Sequence, residues 1–404
     1  MANQGQKPGN QYQYGASRVT DAQISIETIN DKRGRARFVD LGRDFASRVK
    51  HSVPQLRSER IELITPEKNP FFEHARAELF IAHRGGKPVG RISAHIDELA
   101  LKMPAEQGFG PGTGMFGYFD AEDEAVASAL LERAEDWLKN EGMTRVLGPI
   151  SMAMWEEPGL LTKGQDHSPM LMMGHHPSHY EAWITGAGYR PAKTLYTYDL
   201  DISQEFPPII QRIVKSGERN KRITVRQVNK KRWDEEVEAI LGILNDAWSD
   251  NWGFVPFTPH EVEHAGKQLK PVIHEELNMI AEVDGRPVAF MLTFPDLNEP
   301  LADIKGKLLP FGWIKMLRWL RNPKGAGMRV PLMGVLKELQ NSRMASQLAF
   351  MMISAIRKQA HEKFGSVRGE VGWVLEDNQG MIAIADAIES SINREYVIFE
   401  KPLA

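Results

Sequence analysis

The chain of 404 residues contains no cysteine. That absence removes a disulfide framework, a thiol nucleophile and a thiolate zinc site, so a metal centre would have to use His and carboxylate ligands. Also missing is any apolar run near the roughly 20 residues that span a bilayer. The N-terminus, MANQGQKPGNQYQYGASR, has neither the charged start nor the apolar run of a signal peptide, so a cytoplasmic protein is expected. Residues 1–35 are expected to form a mobile tail. A surplus of one charge is lacking too. The net charge of -3 gives no reason to expect a nucleic-acid partner. What is present is apolar content, 42% of the chain, over a length that suits two buried cores better than one.

An internal repeat organises that length. Residues 79–90 read LFIAHRGGKPVG and residues 278–289 read NMIAEVDGRPVA, each a strand, a Gly-containing two-residue turn and a second strand. After each hairpin come a further strand, a long amphipathic helix and a strand entered through Gly and Arg, GMTRVLGPI at 142–150 and GSVRGEVGWV at 365–374. A short helix and an aromatic strand close each half, TLYTYDLDI near 194–202 and NREYVIFEKPL near 393–403. SQEFPP breaks structure between them. The expected fold is α/β (α+β), with two tandem units at 36–205 and 206–404, each a mixed, mostly antiparallel sheet flanked by helices.

This order of elements resembles the GCN5-related N-acyltransferase (GNAT) superfamily over roughly residues 60–404. More narrowly, NPFFEHA, FGYFDAEDEA, GPISMAMWEEPGLL, NWGFVPFTP, KLLPFGWIKML and WVLEDNQGM resemble a bacterial group of tandem GNAT proteins. Within it the resemblance extends to bacterial ceramide synthases, which N-acylate a sphingoid base. The resemblance implies an acyl-CoA-dependent N-acyltransferase, with acyl-CoA as co-substrate, no tightly bound cofactor and a lipid amine as acceptor.

A GNAT domain seats the CoA pyrophosphate on backbone N–H groups at a helix start, where unpaired donors and the helix dipole favour an anion. In the second half that turn is Gln340, Asn341, Ser342, Arg343, Met344 and Ala345. Its Gln and Ala fit the family pattern, but Arg343 replaces a usual Gly, which narrows the approach of a phosphate while adding charge. Met333, Gly334 and Val335 form the strand edge expected to pair with the pantetheine arm. Asn378 matches a family Asn beside the cofactor and equally suits a helix N-cap. In the first half Asp120, Glu122, Asp123 and Glu124 surround the corresponding helix start, and like charge would repel a pyrophosphate. The first unit is therefore expected not to bind CoA.

Acyl transfer to an amine needs a free nitrogen lone pair, a donor to the carbonyl oxygen and a proton for the thiolate. The long segment 148–183 is the place to look for such groups. Glu157 and His175 are the candidate base or orienting groups, with His176 and Tyr180 beside them and Tyr396 as a candidate acid for the thiolate. The same histidines, with His179, can instead cap turns around Pro177, and Tyr396 can be a half-buried strand aromatic. Pro177 breaks the spacing a zinc site would need, so no metal is expected.

An insertion at 303–328 carries Leu309, Phe311, Trp313, Ile314 and Leu317 with Lys315, Arg318 and Arg321 at three-residue spacing. Such a segment suits an interfacial helix on the inner membrane through 305–321, or a helix packed across the two units. Two rival functions remain at this level: acetylation of a small polar amine or peptide, and binding without catalysis.

Overall fold

A computed structural model describes residues 23–403. The first unit contributes β1 (Ile24–Ile29), β2 (Ala75–Arg84), β3 (Lys87–Asp97), β4 (Thr113–Ala121), β5 (Arg145–Gly148), β6 (Leu160–Lys163) and β7 (Arg190–Asp201). The second contributes β8 (Ile223–Gln227), β9 (Met279–Val283), β10 (Arg286–Pro295), β11 (Met328–Val335), β12 (Arg368–Leu375) and β13 (Ser391–Pro402). Helices α1 (Lys32–Arg48), α2 (Arg57–Leu63), α3 (Glu124–Asn140) and α4 (Tyr180–Gly186) belong to the first unit. Then follow α5 (Pro208–Glu218), α6 (Trp233–Ala247), α7 (Pro259–Leu269), α8 (Asn298–Asp303), α9 (Gly312–Arg321), α10 (Lys337–Gln340), α11 (Arg343–Glu362) and α12 (Gln379–Ala387).

The expected tail needs correction. Residues 24–29 are a strand paired with β2, and α1 starts at Lys32 with Asp31 capping Gly34 N–H. Ile24 and Ile26 pack against the first core, so these residues gain apolar burial that composition alone did not reveal. The rest of the predicted tail, 1–22, lies outside the described residues.

Both predicted hairpins are present. Gly85 and Gly86 have φ of 57° and 77°, and Asp284 and Gly285 have φ of 52° and 80°, the left-handed pair that a type I′ turn requires. In each unit the hairpin continues into a parallel pair: Thr113, Gly114 and Met115 oppose Arg145, Val146 and Leu147, and Met328, Arg329 and Val330 oppose Gly369, Glu370 and Val371. The repeat in sequence is thus a repeat in register.

The closing strands depart from a simple tandem. The sheet order is β1-β2-β3-β4-β5-β13-β7-β12-β11-β10-β9-β8, with β6 on β13. The last strand of the chain therefore completes the first unit's edge against β5, and the first unit's own closing strand, β7, pairs with β12. Neither unit closes its own sheet. α3, α11 and α12 pack on one face, where Phe80, Val397, Leu200 and Met333 point. α1 and α6 cover the other, against Leu79 and Ile81 or Phe290 and Leu292.

Candidate active site

The two parallel pairs diverge beyond their third residue, and what fills each divergence differs. In the first unit the chain after β5 stays against β4. Ile150 N–H donates to Phe116 O at 2.7 Å and Tyr118 N–H to Ser151 Oγ at 3.2 Å. A Cβ at Gly117 would lie 2.2 Å from Ile150 O, so the backbones touch. Further along, the Tyr180 hydroxyl accepts from Ala121 N–H at 3.2 Å and donates to its carbonyl at 3.3 Å. These contacts bridge the two strands of the first gap, and Tyr118, Asp120, Pro149 and Ser151 beside them line a cavity on one face of the sheet.

In the second unit the pairing ends at Val330 and Val371, and a cavity of about 410 Å³ opens between the strands, lined by Trp248, Pro331, Met333, Trp373, Leu375 and Asn378. Leu336 N–H bonds Val288 O, so by the alternation of an antiparallel ladder Met333 and Val335 turn their N–H and C=O groups into this gap. Trp248 Nε1 already donates to Met333 O at 3.0 Å and Gln340 Nε2 to Val335 O at 2.9 Å. Those carbonyls are engaged, which leaves the edge amides as the groups an added strand would use.

At the helix start, Ser342 is the N-cap of α11 and its Oγ accepts from Ala345 N–H at 3.3 Å. Asn341, Ser342 and Arg343 are exposed, with Met344 and Ala345 partly so. Asn378 takes its N-cap alternative, accepting from Met381 N–H at 3.1 Å on the gap wall. The first unit's counterpart is capped by Asp123, whose carboxylate accepts from Val126 N–H at 3.0 Å and pairs with Arg84. Asp120, read in the sequence as part of that acidic turn, instead lies within β4, one residue from its end, and faces a cavity of the first unit.

That cavity, about 1090 Å³, lies in the first unit under α1 and α2. It gathers Glu157, His175, His176, Arg60, Arg91 and Asp120 against apolar walls from α1. Burial raises the pKa of Glu157, but Arg60 at 3.2 Å, with His176 and Arg91, outweighs it and holds the carboxylate below its usual range. His176 Nδ1 accepts Leu161 N–H at 3.1 Å, which leaves the proton on Nε2, 3.7 Å from Glu157. Burial lowers its pKa although Glu157 pulls the other way. Burial likewise pushes His175 down to about 4, with its Nε2 bonded to Lys50 O at 2.8 Å. Asp120 is pushed up to about 6 by burial, against the pull of Arg91 at 2.7 Å.

The geometry therefore does not bring the residues expected as bases to those expected to hold the cofactor. Four strand spacings separate the two gaps in the sheet order, roughly 19 Å. Tyr180 is fully buried on Ala121 and lines neither cavity, so the expected catalytic role is replaced by closure of the first gap. Tyr396 is also fully buried, its hydroxyl donating to Gly174 O at 3.0 Å. Burial raises the pKa of both phenols, so both stay protonated and each hydroxyl is held by a backbone partner. Both tyrosines act as struts. The three histidines diverge: His179 packs at a tilt against Trp183 while His175 and His176 bond different backbone segments.

Sequence reasoning missed the aromatic wall of the second gap. Trp155 from the first unit stacks on Trp248 at 5.7 Å and on Phe257 at 4.6 Å, with Trp373 at 6.4 Å. Beside it His74 lies 2.8 Å from Asp97 and 3.2 Å from Glu261, joining the units. Four strings that carried the family resemblance meet here: NPFFEHA, GPISMAMWEEPGLL, NWGFVPFTP and WVLEDNQGM. Arg60 and Arg91 were missed as well. Arg91 opposes Asp120 across two strands, a pairing that only the register reveals.

No protein-family model matches the chain. The bacterial ceramide synthase of Caulobacter vibrioides is 41% identical over 386 residues, 95% of this chain and 99% of that protein. Protein YghO of Escherichia coli is 37% identical over 354 residues, 87% of this chain and 88% of that protein. Among solved structures, a tandem GNAT protein from the clavulanic acid biosynthesis pathway superposes with a TM-score of 0.55 at 11% identity, covering 95% of this chain and 99% of that one. Tandem GNAT architecture and near full-length identity agree, and the chain belongs to the bacterial ceramide synthase family of N-acyltransferases.

Proposed function

We propose that the chain transfers a long acyl group from acyl-CoA to the amine of a sphingoid base, with the thioester seated in the open gap of the second unit. The observation that carries this reading is the asymmetry of the two gaps. Equal parallel pairs lead to one gap zipped by Ile150, Ser151 and Tyr180, and to another whose edge amides face a cavity. The charge balance agrees, since the α11 start carries Ser342 and Arg343 where the α3 start carries Asp123 and Glu124. The relative's name supports the acceptor class.

The acceptor is a lipid, and α9 supplies a surface for it. Leu309, Phe311, Trp313, Ile314 and Leu317 are exposed, beside Lys315, Arg318 and Arg321, which suits docking on an anionic inner-membrane surface. Among the described residues no helix is long and apolar enough to cross a membrane.

The test is release of free CoA thiol by the purified protein with detergent-dispersed sphingoid base, comparing palmitoyl-CoA with acetyl-CoA. Release that needs both palmitoyl-CoA and the base is expected. Turnover of acetyl-CoA alone indicates an ordinary acetyltransferase, and no release with no CoA binding by calorimetry indicates a binding protein.

A second reading places the transfer in the first-unit cavity, because ionised Glu157 and neutral His176 lie there beside apolar walls. Glu157→Gln and Arg343→Glu separate the two. Loss of kcat in Glu157→Gln, with KM for acyl-CoA unchanged in Arg343→Glu, would favour the cavity over the gap.

A further inference from the structure

Behind the second gap, on the α11 and α12 face of the sheet, lies a chamber of about 620 Å³ that the acyl-transfer reading does not by itself require. We propose that this chamber receives the acyl chain of the acyl-CoA and sets the length of chain the enzyme accepts. The inference rests on seating the thioester in the second gap.

Continuity is the first argument. Val330, Met333, Val371 and Met381 line both the gap and the chamber, so the two spaces adjoin across these four residues and a chain leaving the thioester has only their side chains to pass. Depth is the second. The lining runs from Met333 back to Met328 along β11, five residues of extended strand or roughly 16 Å, and along α11 as far as Ala360. An acetyl group would leave nearly all of that length unused.

The chemistry of the walls is the third. Methionine, isoleucine and alanine side chains dominate the lining, which suits an alkyl chain and penalises a polar one. The two charged lining residues are engaged elsewhere. Glu370 accepts from Arg329 at 3.3 Å and from Asn393 at 2.7 Å. Arg357 donates to Gln204 O at 2.7 Å, pairs with Glu205 at 3.2 Å and lies over the Phe206 ring at 5.3 Å. That clasp fastens Phe206, from the segment joining the units, across the deep end beside Leu200 and Ile202. The chamber thus has an entrance at the gap and a stop at Phe206, and β7 supplies part of the stop because the closing strands are exchanged.

The experiment is kcat/KM for a series from hexanoyl-CoA to stearoyl-CoA, read as CoA thiol release with a fixed sphingoid base. Wild type is expected to gain up to about fourfold per methylene until the chamber is full. Ala360→Phe narrows the deep end and should lower the palmitoyl-to-octanoyl ratio at least about tenfold, the equivalent of losing two or more methylenes. Ile356→Ala enlarges the same end and should move the ratio the other way, which keeps the test open if the first variant folds poorly. An unchanged ratio in both variants overturns the chamber while leaving acyl transfer intact. Repeating the series with a shorter sphingoid base should leave the variants' ratios unchanged, and a ratio that follows the base in place of the acyl chain also overturns the chamber. Thiol release from no acyl-CoA in wild type defeats the underlying reading instead.

Discussion

The Tyr180 hydroxyl bonds both backbone groups of Ala121, 3.2 Å from the N–H and 3.3 Å from the carbonyl, and so occupies in the first unit the strand edge that corresponds to the open edge of the second. Position, with a phenol whose pKa burial raises, makes this residue a strut. Tyr180→Phe should therefore cost about 1–2 kcal/mol through an unsatisfied buried amide, while kcat/KM stays within about twofold of wild type. Urea unfolding and thiol-release kinetics read the two effects separately. A folded variant with activity down by an order of magnitude would return Tyr180 to the chemistry.

At the α11 start, Arg343 is exposed and Ser342 alone caps the helix. Arg343→Glu puts at the first residue of α11 the negative charge that Glu124 puts at the first residue of α3. KM for acyl-CoA is expected to rise about tenfold, roughly 1.4 kcal/mol, with kcat retained. Calorimetric binding of CoA to the variant provides the check, and unaltered affinity would place the pyrophosphate elsewhere.

His74 sits between Asp97 and Glu261, and although burial opposes its charge these two carboxylates hold its pKa up at about 10. The folded value exceeds the ordinary 6.5, so this contribution to stability is complete below pH 6.5 and is lost as pH rises towards about 10. His74→Gln leaves two carboxylates facing one another and should destabilise by about 3 kcal/mol at pH 6. Thermal melts of both proteins from pH 6 to 10 should show the difference narrowing. A constant difference across that range would mean that the imidazolium contributes nothing.

Along α9, Arg318 and Arg321 are exposed beside Trp313 and Leu317. Reversing both, Arg318→Glu with Arg321→Glu, should weaken partitioning to vesicles containing phosphatidylglycerol at least about thirtyfold, on the scale of 1 kcal/mol per basic side chain. Co-flotation with neutral and anionic vesicles measures it. Equal recovery of wild type and variant on anionic vesicles would leave α9 without a membrane role.

The repeated hairpins, the amphipathic helices and the acidic turn before α3 were legible in the sequence because each rests on local chemistry: Gly-containing turns, helical spacing and the position of a carboxylate at an N-cap. Glu157, His175 and His176 were legible as a group, since they fall in the one segment 148–183, on either side of β6. The reason they stand together, and apart from the cofactor edge, was not. Arg394 Nη2 on β13 holds His167 O at 2.6 Å, and Asp296 accepts from Leu171 N–H at 2.9 Å, so the second unit shapes the first unit's loop.

By itself the sequence determined that two similar α/β units exist, that they belong to one class of acyltransferase, and that the second helix start suits an anion better than the first. Tertiary structure alone decided that β7 and β13 exchange places, that Tyr180 zips one gap, and that Trp155 crosses to the other. The physical reason is the range of the interactions. Turns and caps are fixed by residues a few positions apart, whereas strand exchange and a cavity's boundaries depend on partners more than a hundred residues away, such as Tyr196 and Glu395 across β7 and β13.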